Sequence, residues 1–463
     1  MRQALAAALV LLVAPSAARG PEVNVSRAPG SQSEVSIAVD PSDPRVLAAG
    51  SNSVPGPTMR AYGSTDGGAT WVSSSDPPLP SRAASACAAG DPALAIDRSG
   101  RQYYAFLAVR PCGAEGKVGL FVATRAGPED EWRTPPVPVS PPSPRAPRTA
   151  FLVDDRPFLA ADTSPVSSHS GRIYVAWSRL QGDHVRSITV SHSDDGGETW
   201  SKPARVSDRD GLVFYAGAAV ARDGTVYVSW IDADELRIAA DRSVDGGETF
   251  GPDRTVAGYR AYSLTCRFGG APIPAQPTRC GSAAPVVSVD SSAGPRSGRV
   301  YVTYADAGRG GRVEVLVAAL DPRLRHLRRA PVRVGPSAGS GGADRFLPVS
   351  AVDSADGRLW VCFYDTAGDP ARVRARFSCT VSASGGRTWS RVVRAASAPS
   401  DATAPGARRS FGYGDYAGLA VLGGVAHPIW TDTRDLRRLR EEIYTTRLRL
   451  ADLAAPVRVP QRP

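Results

Sequence analysis

The chain has 463 residues, 42% hydrophobic and 22% charged, with 46 glycines and 40 prolines spread along it. That balance excludes a disordered chain and points to a globular one with many turns. The net charge of +10 is almost wholly arginine, since Lys117 and Lys202 are the only lysines. The arginines are scattered along the sequence, which argues against nucleic acid as a partner.

Residues 1–18 read as a secretory signal peptide: Arg2, an apolar stretch from Ala4 to Val13, then the small residues Ser16, Ala17 and Ala18. The apolar stretch is too short to span about 30 Å of hydrocarbon, so no stable membrane anchor is expected. Residues 19–463 are then expected to form one secreted, extracellular, monomeric domain. Six cysteines suit an oxidising compartment. The local pairs Cys87–Cys112, Cys266–Cys280 and Cys362–Cys379 are the expected disulfides, although the sequence leaves other pairings open.

From residue 35 onward two short strand patterns alternate. Small apolar runs come first: VSIAVD (35–40), PALAID (92–97), PFLAAD (157–162), AGAAVA (216–221), PVVSVD (285–290), LPVSAVD (347–353) and YAGLAV (416–421). Each is followed by a turn and a wider alternating run, clearest in GRIYVAWSRL (171–180), GTVYVSWIDA (224–233), GRVYVTYADA (298–307) and GRLWVCFYDT (357–366). A third run follows most of these, and no convincing helical period occurs. Units of about four antiparallel strands repeated at this spacing predict an all-β propeller. Seven blades are expected, with six as the alternative, and PEVNVS (21–26) would supply a strand that closes the ring.

After the third run four units carry one turn: STDGGATW (64–71), SDDGGETW (193–200), SVDGGETF (243–250) and SASGGRTW (382–389). The structural positions are Ser64, Asp66, Gly68 and Trp71; Ser193, Asp195, Gly197 and Trp200; Ser243, Asp245, Gly247 and Phe250; Ser382, Gly386 and Trp389. Ser384 replaces Asp in the last copy, and ATRAGPEDEW (123–132) is a degenerate version. Glycine supplies turn angles, Asp binds amides within the turn, and the aromatic ring can pack between blades.

Blade topology gathers the entries to the innermost strands on one face, with the loops after the second strands. The entries bring Glu34, Asp91, Asp155, Arg156, Tyr215, Asp344, Arg345, Asp415 and Tyr416; the loops add Arg179, Asp232, Asp306, Asp365, Asp432 and Arg434. Arginine pairs bidentately with a carboxylate, so this face suits an acidic sugar. For each residue taken singly, a salt bridge between blades is the competing explanation. Two denser arginine runs, RLRHLRR (323–329) and RDLRRLR (434–440), read as loop charge, with polyanion binding the weaker alternative. The five histidines form no metal pair, and the Asp-rich loops read as solvated turns; no metal or cofactor is expected.

The four turns resemble the Asp-box, or bacterial neuraminidase repeat. With the signal peptide and the blade pattern, nearly the whole mature chain resembles the sialidase superfamily. The resemblance implies an exo-acting glycosidase on sialic-acid-type sugars, with a Tyr nucleophile, a Glu partner, an Asp acid/base and arginines for the substrate carboxylate. Tyr416, Glu34 and Asp91 are the candidate catalytic residues. Arg156, Arg345, Arg434, Asp155, Asp415 and Tyr215 are the candidate substrate-binding residues. The chain departs from the family at its first inner strand, where SEVSIAVD lacks the expected Arg. That keeps two alternatives open: a non-catalytic propeller binding an extracellular glycan or glycoprotein, and a polysaccharide lyase or endo-glucanase.

Overall fold

The computed structural model describes residues 20–54, 58–74, 76–79, 87–110, 117–135, 139–140, 154–180, 186–260, 266, 270–308, 311–335, 342–408, 411–436 and 440–454. They form a seven-bladed β-propeller. Blades 1, 3, 4, 5 and 6 are four-stranded antiparallel sheets in simple strand order, and blade 2 has three strands, Cys87–Ile96, Gln102–Arg110 and Lys117–Arg125. In blade 2 the outer edge is met by bridges from Arg133 to Thr124 and from Ser140 to Leu120.

Blade 7 closes the ring. Its strands Gly418–Leu422, Val425–Asp432 and Glu442–Thr445 are completed by Val23–Asn24, which pairs with Thr445 and Tyr444. Ser26 Oγ donates to Glu442 Oε2 at 2.6 Å and accepts the Ile443 amide at 2.9 Å. The expected closure by the segment 21–26 is therefore present.

Packing follows the strand pattern. Each second strand places one buried residue at the same register: Phe106, Trp177, Trp230, Tyr304, Phe363 and Trp430 in blades 2 to 7, all at most 1% exposed. These large rings fill the widening space between blades, while small inner-strand residues fit near the axis. The core is divided into clusters, most of which join neighbouring blades: Ile37 and Leu47 of blade 1, for example, pack with Ala420 and Ile429 of blade 7.

The recurring turn has one geometry. In the second copy Ser193 Oγ donates to Asp195 at 2.8 Å and accepts the Gly197 amide at 2.9 Å; Asp195 accepts the amides of Glu198 and Thr199, both at 3.0 Å. Trp200, Phe250, Trp389 and Trp71 each pack in the cluster that joins their blade to the preceding one. Gly197 has φ of +88°, and a Cβ there would lie 2.8 Å from Thr124 Cγ2 of the previous blade, so both conformation and contact require glycine. The degenerate copy keeps the packing role: Trp132 is buried against blade 1 and blade 2 residues, with Arg125 stacked on its ring at 4.4 Å.

The disulfides Cys266–Cys280 and Cys362–Cys379 are formed, the latter between paired residues of adjacent strands in blade 6. Cys112 lies outside the described residues, so the Cys87–Cys112 pair does too.

Candidate functional site

Five of the seven innermost strands begin with an irregularity. Pairing skips two residues at 34–35, 91–92, 156–157, 215–216 and 347–348. The first residue of each pair has left-handed backbone: Glu34 at φ +54°, Asp91 at +58°, Arg156 at +49°, Tyr215 at +63° and Leu347 at +47°. In blade 5 Ala284, at φ +37°, stands just before Pro285 and its strand. In blade 7 Tyr416 occupies the matching position, two residues ahead of Gly418. Such bulges re-aim a side chain, at a conformational cost of about 1 kcal/mol or more for a non-glycine residue. Since Leu347 shares the bulge and Ala284 the left-handed backbone, the geometry belongs to the architecture. The chemistry comes from what blades 1 to 4 place on it and from what blade 7 places beside it.

Those five residues meet. The Arg156 guanidinium lies over the rings of Tyr215 at 4.1 Å and Tyr416 at 4.9 Å. Its backbone amide donates to Asp91 Oδ2 at 3.3 Å. Asn52 links the first two blades: its side-chain amide donates to Glu34 Oε2, and its carbonyl accepts the Asp91 amide at 2.9 Å. Tyr416 donates to the Pro92 carbonyl at 3.4 Å. Beneath this mouth the axis holds a cavity of about 120 Å³, with mainly apolar walls that include Val35, Pro92, Pro157, Val286 and Pro348.

Arg279 completes the cluster and was not among the sequence candidates. Its Nη1 binds Glu34 at 2.7 Å and Asp415 at 2.6 Å. It comes from the long connection between blades 4 and 5, one residue before Cys280 of a disulfide. Gln276 in that connection accepts the Tyr413 amide at 2.7 Å, which holds the connection against the loop carrying Asp415. The nearby cysteine was the only sequence signal for it.

The cluster has two levels. Glu34, Tyr215 and Arg279 are buried, whereas Asp91, Arg156, Asp415 and Tyr416 are half-buried. Burial, and then the charges of Glu34, Asp155 and Asp415, hold the Asp91 carboxyl well above the usual range. Burial likewise raises Glu34, against the pull of Arg279. Burial keeps Arg279 from being better stabilised, yet Glu34 and Asp415 still raise it. Tyr416 is raised by burial, then by Asp91 and Glu34. The Arg156 Nη1 atom is buried, with no hydrogen-bond partner among the described residues.

The remaining candidates lie elsewhere. Asp155 pairs with Arg186 at 2.8 Å on the edge of the cluster. Arg345 is buried, bonding Asp365 at 3.2 Å and the Val334 carbonyl at 2.9 Å. Arg434 binds Asp432 and Glu22, both at 2.5 Å, and stacks on Tyr444 at 4.4 Å, which secures the ring closure. For Arg345 and Arg434 the salt-bridge explanation describes what the side chains do. Asp344 accepts the Val313 amide at 3.0 Å. Asp232 pairs with Arg237 and Asp306 with Arg260. Among the described residues no group of histidine, cysteine and carboxylate side chains is arranged to hold a metal ion.

No family model matches the chain, and no curated protein matches it. Solved structures do. A protein of unknown function from Dyadobacter fermentans is 14% identical, covering 94% of this chain and 100% of its own, with a TM-score of 0.49. An α-L-arabinanase from Penicillium chrysogenum is 13% identical, with 94% and 99% covered and a TM-score of 0.48. A Hadza microbial sialidase is 14% identical, with 88% and 74% covered and a TM-score of 0.45.

Proposed function

We propose that the chain is a carbohydrate-active propeller that takes an anionic sugar at the mouth of its axis and hydrolyses its glycosidic bond. The observation that carries this reading is the meeting of Asp91, Arg156 and Tyr416 from three blades, with the buried Glu34–Arg279 pair behind them. Each has a role its environment suits. Asp91, whose carboxyl burial and neighbouring carboxylates push towards the protonated form, would give a proton to a departing glycosidic oxygen. Arg156, half-buried at the mouth over two tyrosine rings, would set its guanidinium against a sugar carboxylate. Tyr416 would attack the anomeric carbon as the protonated glycosidic oxygen leaves, its own proton passing to Glu34. A water deprotonated by Asp91 would then displace the phenol and release the sugar; a phenol there avoids setting another carboxylate against an anionic sugar.

One observation favours a binding propeller without catalysis. Burial and two nearby carboxylates oppose ionisation of Tyr416, the reverse of what a nucleophile needs.

Hydrolysis of fluorogenic sialosides and uronides by the purified chain separates the two readings. Turnover lost in Tyr416→Phe, and cut about a hundredfold or more in Asp91→Asn, supports the hydrolase. A folded chain that turns over neither substrate leaves the binding reading, which glycan-array retention lost in Arg156→Gln would then establish.

A further inference from the structure

A second cleft opens away from the axis, between the outer parts of blades 4 and 5. Its volume is about 840 Å³, within the range of small-ligand sites. One wall is the turn after Ser243 and the start of the strand Arg254–Gly258; the other is the turn 321–326 of blade 5. The arginine run RLRHLRR thus finds a place: its first half lines this cleft, opposite Arg242 and Arg254.

The turn is built firmly. Asp321 Oδ1 accepts the amides of Arg323 and Arg325, both at 2.9 Å. Leu324 is buried in the core joining blades 4 and 5. The His326 ring nitrogen Nε2 donates to the Thr255 carbonyl at 3.2 Å across the cleft. Arg254 and Arg323 are exposed, and neither has an acidic partner within ion-pair distance among the described residues. At the base lies Asp241, 1% exposed, whose Oδ2 has no hydrogen-bond partner there. A buried carboxylate oxygen left unpaired in a cleft wall is costly unless something else satisfies it.

We propose that this cleft binds a glycan bearing carboxylate or sulfate groups, with Arg254 and Arg323 on the anionic substituent and Asp241 on a sugar hydroxyl. Guanidinium groups beside a carboxylate suit a ligand that is anionic and rich in hydroxyls. A nucleic acid fits less well: the rings on which bases could stack are limited to Phe250 and His326, and His326 is held to the Thr255 carbonyl. The site is independent of the axial cluster.

The test is retention of the whole chain on polygalacturonate, dextran sulfate and neutral dextran, beside single-stranded DNA and anionic vesicles at equal salt. Binding to either anionic glycan but not to neutral dextran is expected. It should weaken about tenfold or more in the double variant Arg254→Gln, Arg323→Gln, which touches exposed side chains only. It should weaken similarly in Asp241→Ala and recover in Asp241→Asn, with circular dichroism confirming the fold of each. Binding to polygalacturonate alone would identify a uronate, and to dextran sulfate alone a sulfated sugar. The proposal is overturned if neither is retained, if the variants bind like the parent, or if DNA or vesicles bind as tightly.

Discussion

Arg279 Nη1 lies 2.7 Å from Glu34 Oε1, although 245 residues separate them in the chain. The same nitrogen reaches Asp415 at 2.6 Å. One guanidinium thus joins blade 1, the connection between blades 4 and 5, and the loop entering blade 7. With Glu34 buried and Asp415 half-buried, its removal strands two carboxylates. Arg279→Met is expected to cost about 3–5 kcal/mol in urea unfolding. Glu34→Gln in the same chain should recover part of that loss; an unchanged midpoint in the single variant would contradict the role given to the pair.

The disulfide Cys266–Cys280 closes a short loop that ends beside Arg279. Cys266→Ser with Cys280→Ser is expected to lose about 3 kcal/mol of stability from loop entropy. The axial site should suffer first. Any activity or glycan binding there should fall at temperatures where far-ultraviolet circular dichroism still reports the full β-sheet signal, since the blades do not depend on this link. Loss of both in step would show that the disulfide supports the propeller as a whole.

The ring of blades was legible because strand alternation and the Ser-x-Asp-Gly-Gly turn repeat in the chain itself. Five of the residues that stand at the axial mouth were legible for the same reason: each opens an inner strand. What could not be read was the left-handed backbone of Glu34, Asp91, Arg156 and Tyr215, which a proline directly after Asp91, Arg156, Ala284 and Leu347 gives only as a hint. Nor could the sequence separate Arg156 from Arg345. Both stand at blade entries, but Arg156 sits on the bulge and reaches two tyrosines, whereas Arg345 is two residues earlier and turns to Asp365. Arg279 was invisible because its partners are remote in sequence and its own segment has no strand pattern.

Asp154 provides a pH test away from the axial cluster. It is fully buried, accepts Ser140 Oγ at 2.5 Å and Trp177 Nε1 at 2.9 Å, and is pushed up to about 6, chiefly by burial. A raised folded value means that the native state holds the proton more tightly than the unfolded chain. The associated stability is fully present below the unfolded value near 4 and is lost as pH rises through about 6. Asp154→Asn should therefore flatten the decline in melting temperature between pH 4 and pH 7. A parallel decline in both chains would mean that Asp154 keeps an ordinary titration.

The last repeat turn tests what the aspartate contributes in the other three. In blade 6 Ser384 stands in its place: the Ser384 hydroxyl accepts the Thr388 amide at 2.8 Å and shares a 2.8 Å bond with the Thr388 hydroxyl. In blade 4 Asp245 accepts the Ser243 hydroxyl, the Thr249 amide and the Thr249 hydroxyl at 2.6, 3.0 and 2.5 Å. Partial burial works against that carboxylate's charge, but the bonds from Ser243 and Thr249 outweigh it and bring it down to about 2. Ser384→Asp should install the same set, since Ser382, Gly386 and Thr388 already hold the turn. A gain of about 1 kcal/mol at neutral pH is expected. Because the new carboxylate's folded value lies below its unfolded one, the gain should be present above pH 4 and disappear as pH falls towards 2. Paired unfolding curves for the parent and the variant across that range decide it; a gain that persists at the acid end would have to come from something other than the carboxylate.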